Sequence, residues 1–234
     1  MGIIKRIVKK IILVKKPSLK EEFFNKAYSQ EGEDILLSRI FEEKKDGFYL
    51  DIGAHHPQRF SNTYLFYLKG WKGINIDPMP GIMQEFNKVR PRDINLEIGI
   101  SKEEEMLTYY IFNEPALNTF NTVEANLKNG INNGQFYITE ERKIKTFPLA
   151  KILDEYIENF QKIDFLSIDV EGLDLEVLQS NDWSKYKPNY ILIEELRTSI
   201  ENILNEGEIS LYLKQYDYSL VCRTFNTSIY KKNE

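Results

Sequence analysis

The run Phe48-Tyr49-Leu50-Asp51-Ile52-Gly53-Ala54-His55-His56-Pro57 is followed, one helix-length later, by Gly73-Ile74-Asn75-Ile76-Asp77-Pro78. This pairing constrains the fold more than any other feature of the chain, because it reads as strand, tight turn, helix, strand, acid. A glycine lets backbone approach a ligand at the carboxyl end of the first strand. An acid ending the second strand suits the two hydroxyls of a ribose. Together they describe a nucleoside-binding half-site. The plainer alternative is that Asp51 caps the next helix and Asp77 precedes an ordinary turn with Pro78.

What the turn lacks narrows the nucleoside. A dinucleotide fold cradles a pyrophosphate on a G-x-G-x-x-G turn at a helix N-terminus, whereas here Gly53 is followed by Ala54, His55, His56 and Pro57. An NAD-linked oxidoreductase is therefore a poor reading. S-adenosylmethionine carries adenosine without phosphates, and its sulfonium and amino groups are cationic. Asp51 beside the turn would attract that end of the molecule.

A second signal is Ile163-Asp164-Phe165-Leu166-Ser167-Ile168-Asp169-Val170-Glu171-Gly172, running into Leu173 to Leu178. Apolar residues either side of Asp169 suit a strand buried on both faces, as in a parallel sheet. The acids Asp169 and Glu171 then fall at its carboxyl end, where ligands of open α/β sheets sit.

Five segments in this order carry a resemblance: Tyr28-Ser29-Gln30-Glu31-Gly32-Glu33-Asp34; the Leu50 to Pro57 turn; Ser61-Asn62-Thr63-Tyr64; Gly70-Trp71-Lys72-Gly73 with Ile76-Asp77-Pro78; and Ile168-Asp169-Val170-Glu171-Gly172. Between about Tyr28 and Tyr230 the chain resembles the FkbM family of S-adenosylmethionine-dependent methyltransferases. The resemblance implies a class I methyltransferase (Rossmann-like) fold, a mostly parallel seven-stranded sheet with a C-terminal antiparallel hairpin and helices on both faces. It also implies O-methylation, often of sugars or polyketide hydroxyls, without identifying the acceptor. It lays Ser29 and Gln30 against the methionine part of the cofactor, with Asn62 and Thr63 opening the next helix nearby.

At 234 residues and 42% hydrophobic content the chain has the size and core of one α/β domain with an excursion. The lone Cys222 excludes an intrachain disulfide and a cysteine-rich zinc site, and a cytoplasmic protein is the economical inference. Residues 1–16 hold six of the 31 basic residues and none of the 36 acidic ones. The rest of the chain is thus strongly acidic, a poor nucleic-acid binder. Within 1–16, Ile3, Ile4, Ile7, Val8, Ile11 and Ile12 recur at helical steps between lysines. That pattern fits an amphipathic helix lying on an anionic membrane surface, or packed on the domain or on a second subunit of a homo-oligomer. It is too short and charged to span a membrane and does not resemble a signal peptide. Residues 17–234 then form a single domain.

Along that domain, helices are expected over 19–27 and 34–43, then strand 47–52, helix 62–69, strand 73–77, helix 79–89 and strand 94–100. From about 101 to 160 the alternation breaks into an excursion on the substrate side, with strands at 107–112 and 143–147, an asparagine-rich stretch over 118–133 and a helix at 149–158. Strand 164–169, helix 173–180, strand 189–194 and helix 207–215 follow, before a closing hairpin of 218–224 and 227–230.

Methyl transfer to a hydroxyl requires in-line alignment and removal of a proton from a weakly acidic group, so it needs a base or a metal. Asp169 and Glu171 are the leading candidates. Alternating acids at a strand end point to one side, where one accepts the proton and the other orients it, or both hold a divalent cation with Glu194. Three acids without histidine favour Mg²⁺ if any metal binds. The chain's only histidines, His55 and His56, both sit in the cofactor turn, where an imidazole is a second candidate base. The resembled family often carries other residues there. Asp51 and Gly53 are expected at the methionine end of the cofactor and Asp77 on its ribose. The acceptor expected is a sugar in a glycan or glycolipid precursor; the alternatives are a small diffusible hydroxyl compound, or a non-catalytic subunit that keeps the fold.

Overall fold

The computed structural model describes residues 25–158, 161–196 and 198–233. In chain order the strands are β1 (Phe48–Ile52), β2 (Lys72–Ile76), β3 (Ile94–Leu96), β4 (Gly99–Ile100), β5 (Glu105–Phe112), β6 (Ile138–Phe147), β7 (Phe165–Ile168), β8 (Tyr190–Glu194), β9 (Tyr218–Arg223) and β10 (Thr227–Lys232). The helices are α1 (Glu33–Ile40), α2 (Tyr64–Leu68), α3 (Ile82–Val89), α4 (Thr122–Lys128), α5 (Ile131–Gly134), α6 (Leu149–Tyr156), α7 (Asp174–Gln179), α8 (Ile200–Glu206) and α9 (Glu208–Lys214). Seven strands form one sheet in the order β3-β2-β1-β7-β8-β10-β9. Its first five members pair in parallel, and β10 and β9 close it as an antiparallel hairpin. This is the mostly parallel α/β sheet that the sequence indicates.

The centre of the sheet explains its composition. Every residue of β1 and β7 is buried, as parallel strands covered on both faces require. Leu50, Ile52, Leu166 and Ile168 pack on one face with Leu149, Ile152 and Val177. Tyr49, Phe165 and Leu192 pack on the other with Leu37, Phe66 and Trp71. Since side chains alternate along a strand, the second face continues at the strand ends into Asp51, Ser167 and Glu194. The apolar pattern of the core thus delivers three polar groups to one end of the sheet. There β1 and β7 lie side by side while the chain winds outward from each, the crevice in which such sheets bind ligands.

Several expected boundaries move. The strand expected over 94–100 breaks at Glu97–Ile98: β3 stays in the main sheet, while β4 joins β5 and β6 in a second, three-stranded one. Gly99 makes this possible, since a Cβ there would lie 2.8 Å from both the Phe120 ring and Thr146. The expected strands at 107–112 and 143–147 are longer and pair with each other, from Glu105↔Thr146 to Phe112↔Ile138. Helix α3 starts at Ile82, after Pro80 and the left-handed Gly81, and α8 occupies a segment to which no helix was assigned. Ser199 caps α8, its hydroxyl accepting the Asn202 N–H at 3.1 Å. In the asparagine-rich stretch, the Asn121 side chain caps α4, and Asn132 and Asn133 take left-handed backbone, both roles that suit asparagine. The helix expected over 1–16 lies outside the described residues, as does the one over 19–27 except for 25–27, which are irregular. No helix among the described residues is long and apolar enough to cross a membrane.

Candidate active site

A cavity of about 250 Å³ opens at the carboxyl ends of β1, β2, β7 and β8 and is walled on its far side by the second sheet and residues 114–120. Of the residues singled out in the sequence, Gln30, Asp51, Gly53, His55, Asn62 and Asp77 line it, and so do Asp169, Glu171 and Glu194. Ser29, Thr63 and His56 do not. The Ser29 hydroxyl donates to Asp34 at 2.7 Å, and the fully buried Thr63 donates to Asp51 at 2.6 Å. His56 instead shapes the turn, its Nδ1 accepting the N–H groups of Gln58 and Arg59 at 3.0 and 2.9 Å.

Gly53 binds the two central strand ends together. It has φ 79°, and a Cβ there would lie 1.8 Å from the carbonyl oxygen of Asp169. No side chain fits. The next residue but one, His55, is also left-handed, and its N–H donates to Asp77 Oδ2 at 2.8 Å, while Met79 N–H donates to Oδ1 at 2.8 Å. Asp77 is therefore pinned at the cavity wall by two amides, and burial pushes its carboxyl up to about 6. The His55 ring is a weak base. Burial, then the Arg59 guanidinium and His56, push it down to about 4, and its Nε2 lies 3.4 Å from Arg59 Nη1.

Asp169, Glu171 and Glu194 each place a carboxylate oxygen within 4.8 Å of the others. Glu171 has left-handed backbone, with φ 56°, a strain of the kind that collects at functional sites. Its carboxylate contacts the ammonium of Lys128, which also lies 3.9 Å from Glu124. Asp169 is exposed, and its exposed surface faces the cavity. Burial among protein atoms, followed by repulsion from Glu194 and Glu171, holds its carboxyl well above the ordinary range. Burial, with repulsion from Glu171, lifts Glu194 to about 8. Acids this close disfavour one another's ionisation, which adds to burial in holding Asp169 and Glu194 above the ordinary carboxyl range. The loop between them and α7 is held by Asp174, which accepts the N–H groups of Val170 and Gly172 at 3.3 and 3.1 Å.

The family model for the methyltransferase FkbM domain matches residues 51–220. The chain belongs to the FkbM methyltransferase family. As a member it is an S-adenosylmethionine-dependent methyltransferase. No curated protein matches its sequence. Among solved structures it is similar to a protein described as a candidate RNA methyltransferase from Pyrococcus horikoshii, with TM-score 0.43 and 7% identity over 87% of this chain and 84% of that one. That likeness is too low to bear on function.

The FkbM methyltransferase has site residues that its sequence did not announce. Lys128, Glu114, Asn118, Thr119 and Phe120 come from the segment between β5 and β6, which the sequence set on the substrate side without marking these residues. Thr119 Oγ1 donates to the Glu171 carbonyl at 2.8 Å and Asn121 Nδ2 to the Gly172 carbonyl at 3.1 Å. These bonds join the second sheet's connecting segment to the end of β7. For a metal, three carboxylate oxygens are of the right type for Mg²⁺. However, Glu171 is already engaged by Lys128, whose charge meets the same need. A cation on all three acids would have to displace the ammonium.

Proposed function

We propose that this FkbM methyltransferase methylates a hydroxyl group of a sugar in a glycan or glycolipid precursor, with the Asp169–Glu194 pair as the proton acceptor. The observation that carries the reading is the convergence of the Asp169, Glu171 and Glu194 carboxylates, within 4.8 Å of one another, on the wall of the cavity that Asp51 and Asp77 also line. When bound, S-adenosylmethionine supplies a methyl group on a sulfonium, an excellent leaving group. Asp51 draws its cationic methionine end, Asp77 accepts hydrogen bonds from the ribose hydroxyls, and Ile76, Pro78 and Ile98 offer apolar surface to the adenine. Asp169 takes the acceptor proton as the oxygen attacks, Glu194 orients the hydroxyl, and Lys128 through Glu171 limits the build-up of negative charge.

A second reading has support in the same acids: Asp169, Glu171 and Glu194 hold Mg²⁺ after Lys128 moves away. Retention of activity in EDTA separates the two. The reading also takes the protein as cytoplasmic, with residues 1–16 at the inner membrane face beside a lipid-linked acceptor. Deletion of 1–16 then lowers turnover of lipid-linked but not of soluble acceptors. The substrate class is tested by incubating the protein with isotopically labelled S-adenosylmethionine and a panel of nucleotide-linked and lipid-linked sugars, followed by mass spectrometry. Label on a sugar oxygen supports the proposal. Label on nitrogen or carbon, or on no member of the panel, contradicts it.

A further inference from the structure

Arg90, at the end of α3, is fully buried, with no solvent contact to hydrate its charge. Its Nε donates to Asp93 at 2.8 Å and its Nη2 to the Tyr49 hydroxyl at 2.9 Å. Asp93 in turn accepts from Tyr49, from the N–H of Gly73 and from Asn75. One guanidinium nitrogen points elsewhere, with Nη1 3.4 Å from Ser61 Oγ. Ser61 Oγ lies 3.2 Å from Thr63 Oγ1, and Thr63 Oγ1 lies 2.6 Å from Asp51 Oδ2. Four residues thus form one line from a buried cation to the acid at the cofactor turn.

With Asp51 ionised, chemistry fixes the direction of every bond in that line. Arg90 can only donate, and an ionised Asp51 can only accept. Each hydroxyl has a single hydrogen. Thr63 spends its hydrogen on Asp51, so it must accept from Ser61. Ser61 then has no hydrogen left, and its two lone pairs face Arg90 and the N–H of Tyr64, the latter at 3.1 Å. All dipoles point toward the carboxylate, and aligned dipoles polarise one another.

We propose that Arg90 is a positioning residue for Asp51: acting through Ser61 and Thr63, it anchors Oδ2 and leaves Oδ1 for the cationic methionine end of the cofactor. The inference rests on the reading of Asp51 as the acid at that end. Among the described residues no protein group bonds Oδ1. Burial is the strongest influence on Asp51 and raises it toward its neutral form, in which it attracts no cation; Arg90, then the Thr63 hydroxyl, limit that rise. The other charged groups bearing on Asp51 are Asp93 beside Arg90 and Asp77 at the end of β2, and both disfavour its ionisation. Arg90 and Ser61 lie outside the cavity lining, so their influence on the cofactor passes through the line of hydrogen bonds.

The test is calorimetric titration of the full chain with S-adenosylmethionine between pH 5 and 9. Thr63→Val keeps the shape and removes the hydroxyl. It is expected to weaken binding about tenfold, the loss of a hydrogen bond to a charged group, and to move the acid limb of the pH profile upward, while Thr63→Ser restores both. Arg90→Lys keeps a charge but cannot span the fork, and its effect on binding should largely vanish in the Thr63→Val background. If Arg90→Lys does not fold, Ser61→Ala breaks the same step and takes its place in the cycle. A folded Thr63→Val protein with wild-type affinity and pH profile overturns the proposal while leaving the cofactor site intact. So does an Arg90→Lys or Ser61→Ala effect undiminished by Thr63→Val. Wild-type protein that fails to bind S-adenosylmethionine overturns the assignment of Asp51, and the proposal with it.

Discussion

The ammonium of Lys128, at the last position of α4, contacts the carboxylate of Glu171 just beyond β7. A residue of the segment outside the main sheet thereby offsets part of the charge of the acid cluster at the carboxyl end of that sheet. Removing it has consequences for both stability and chemistry.

Lys128→Met leaves Glu171 without its partner. The Lys128 and Glu171 side chains are 7% and 15% exposed, so the loss should cost about 3 kcal/mol of stability. Because Lys128 lowers the affinity of Asp169, Glu171 and Glu194 for protons, the variant's pH–rate profile should shift to higher pH. Denaturant unfolding and pH–rate measurements check the two effects. An unshifted profile would detach Lys128 from the chemistry.

Gly53→Ala meets the Asp169 carbonyl and an unfavourable left-handed backbone at once. The turn must open, and a loss of more than about 2 kcal/mol in stability is expected, together with loss of cofactor binding. Thermal unfolding and titration with S-adenosylmethionine read both. An alanine variant that binds normally would show that the strand ends separate freely.

Asp77→Asn keeps an acceptor for one of the two amides that hold the wall, but removes the charge from the ribose site. S-adenosylmethionine affinity should fall by about 1.5–3 kcal/mol with little change in melting temperature. Asp77→Ala should lose the same affinity and, in addition, stability, because both amides lose their partner. Equal affinity in all three proteins would remove Asp77 from the cofactor site.

Stability should decline between pH 6.5 and 8. Glu194 titrates at about 8 and Asp174 at about 7 in the folded protein, against 4.5 and 3.8 for the free side chains. The native state therefore holds more protons than the unfolded state in this window, and unfolding becomes easier as pH rises. The lowered His55 works the other way, but only below 6.5. The melting temperature of wild type should fall across the window, with a shallower slope for Glu194→Gln. A flat wild-type profile would mean that these carboxyls ionise normally.

The sheet was legible because its signals are local. β1 and β7 are short, wholly buried and mostly apolar runs with an acid at or just beyond the carboxyl end. The cavity acids follow from the same runs: Asp51 and Glu194 lie in the last two residues of β1 and β8, Asp77 and Asp169 directly follow β2 and β7, and Glu171 comes two residues later. What the sequence hid depends on contacts between distant segments. Thr63 reads as a helix-opening residue near a ligand, but it is fully buried against Asp51. Arg90 is 41 residues from Tyr49 and 29 from Ser61, and nothing in its neighbourhood marks it as buried. Lys128 sits in a helix where a lysine would ordinarily face water. The break of the 94–100 strand was hidden for the same reason, since it depends on Phe120 and Thr146 closing over Gly99.

The most direct test of the account is methyl transfer by wild type and Asp169→Asn in the presence of EDTA, with S-adenosylmethionine affinity measured on the same samples. The account predicts that wild type stays active, and that the variant binds the cofactor within about twofold of wild type but transfers methyl about 10²–10⁴ times more slowly, the share that a general base supplies. An active Asp169→Asn enzyme would contradict it, as would wild-type activity that disappears in EDTA and returns with Mg²⁺.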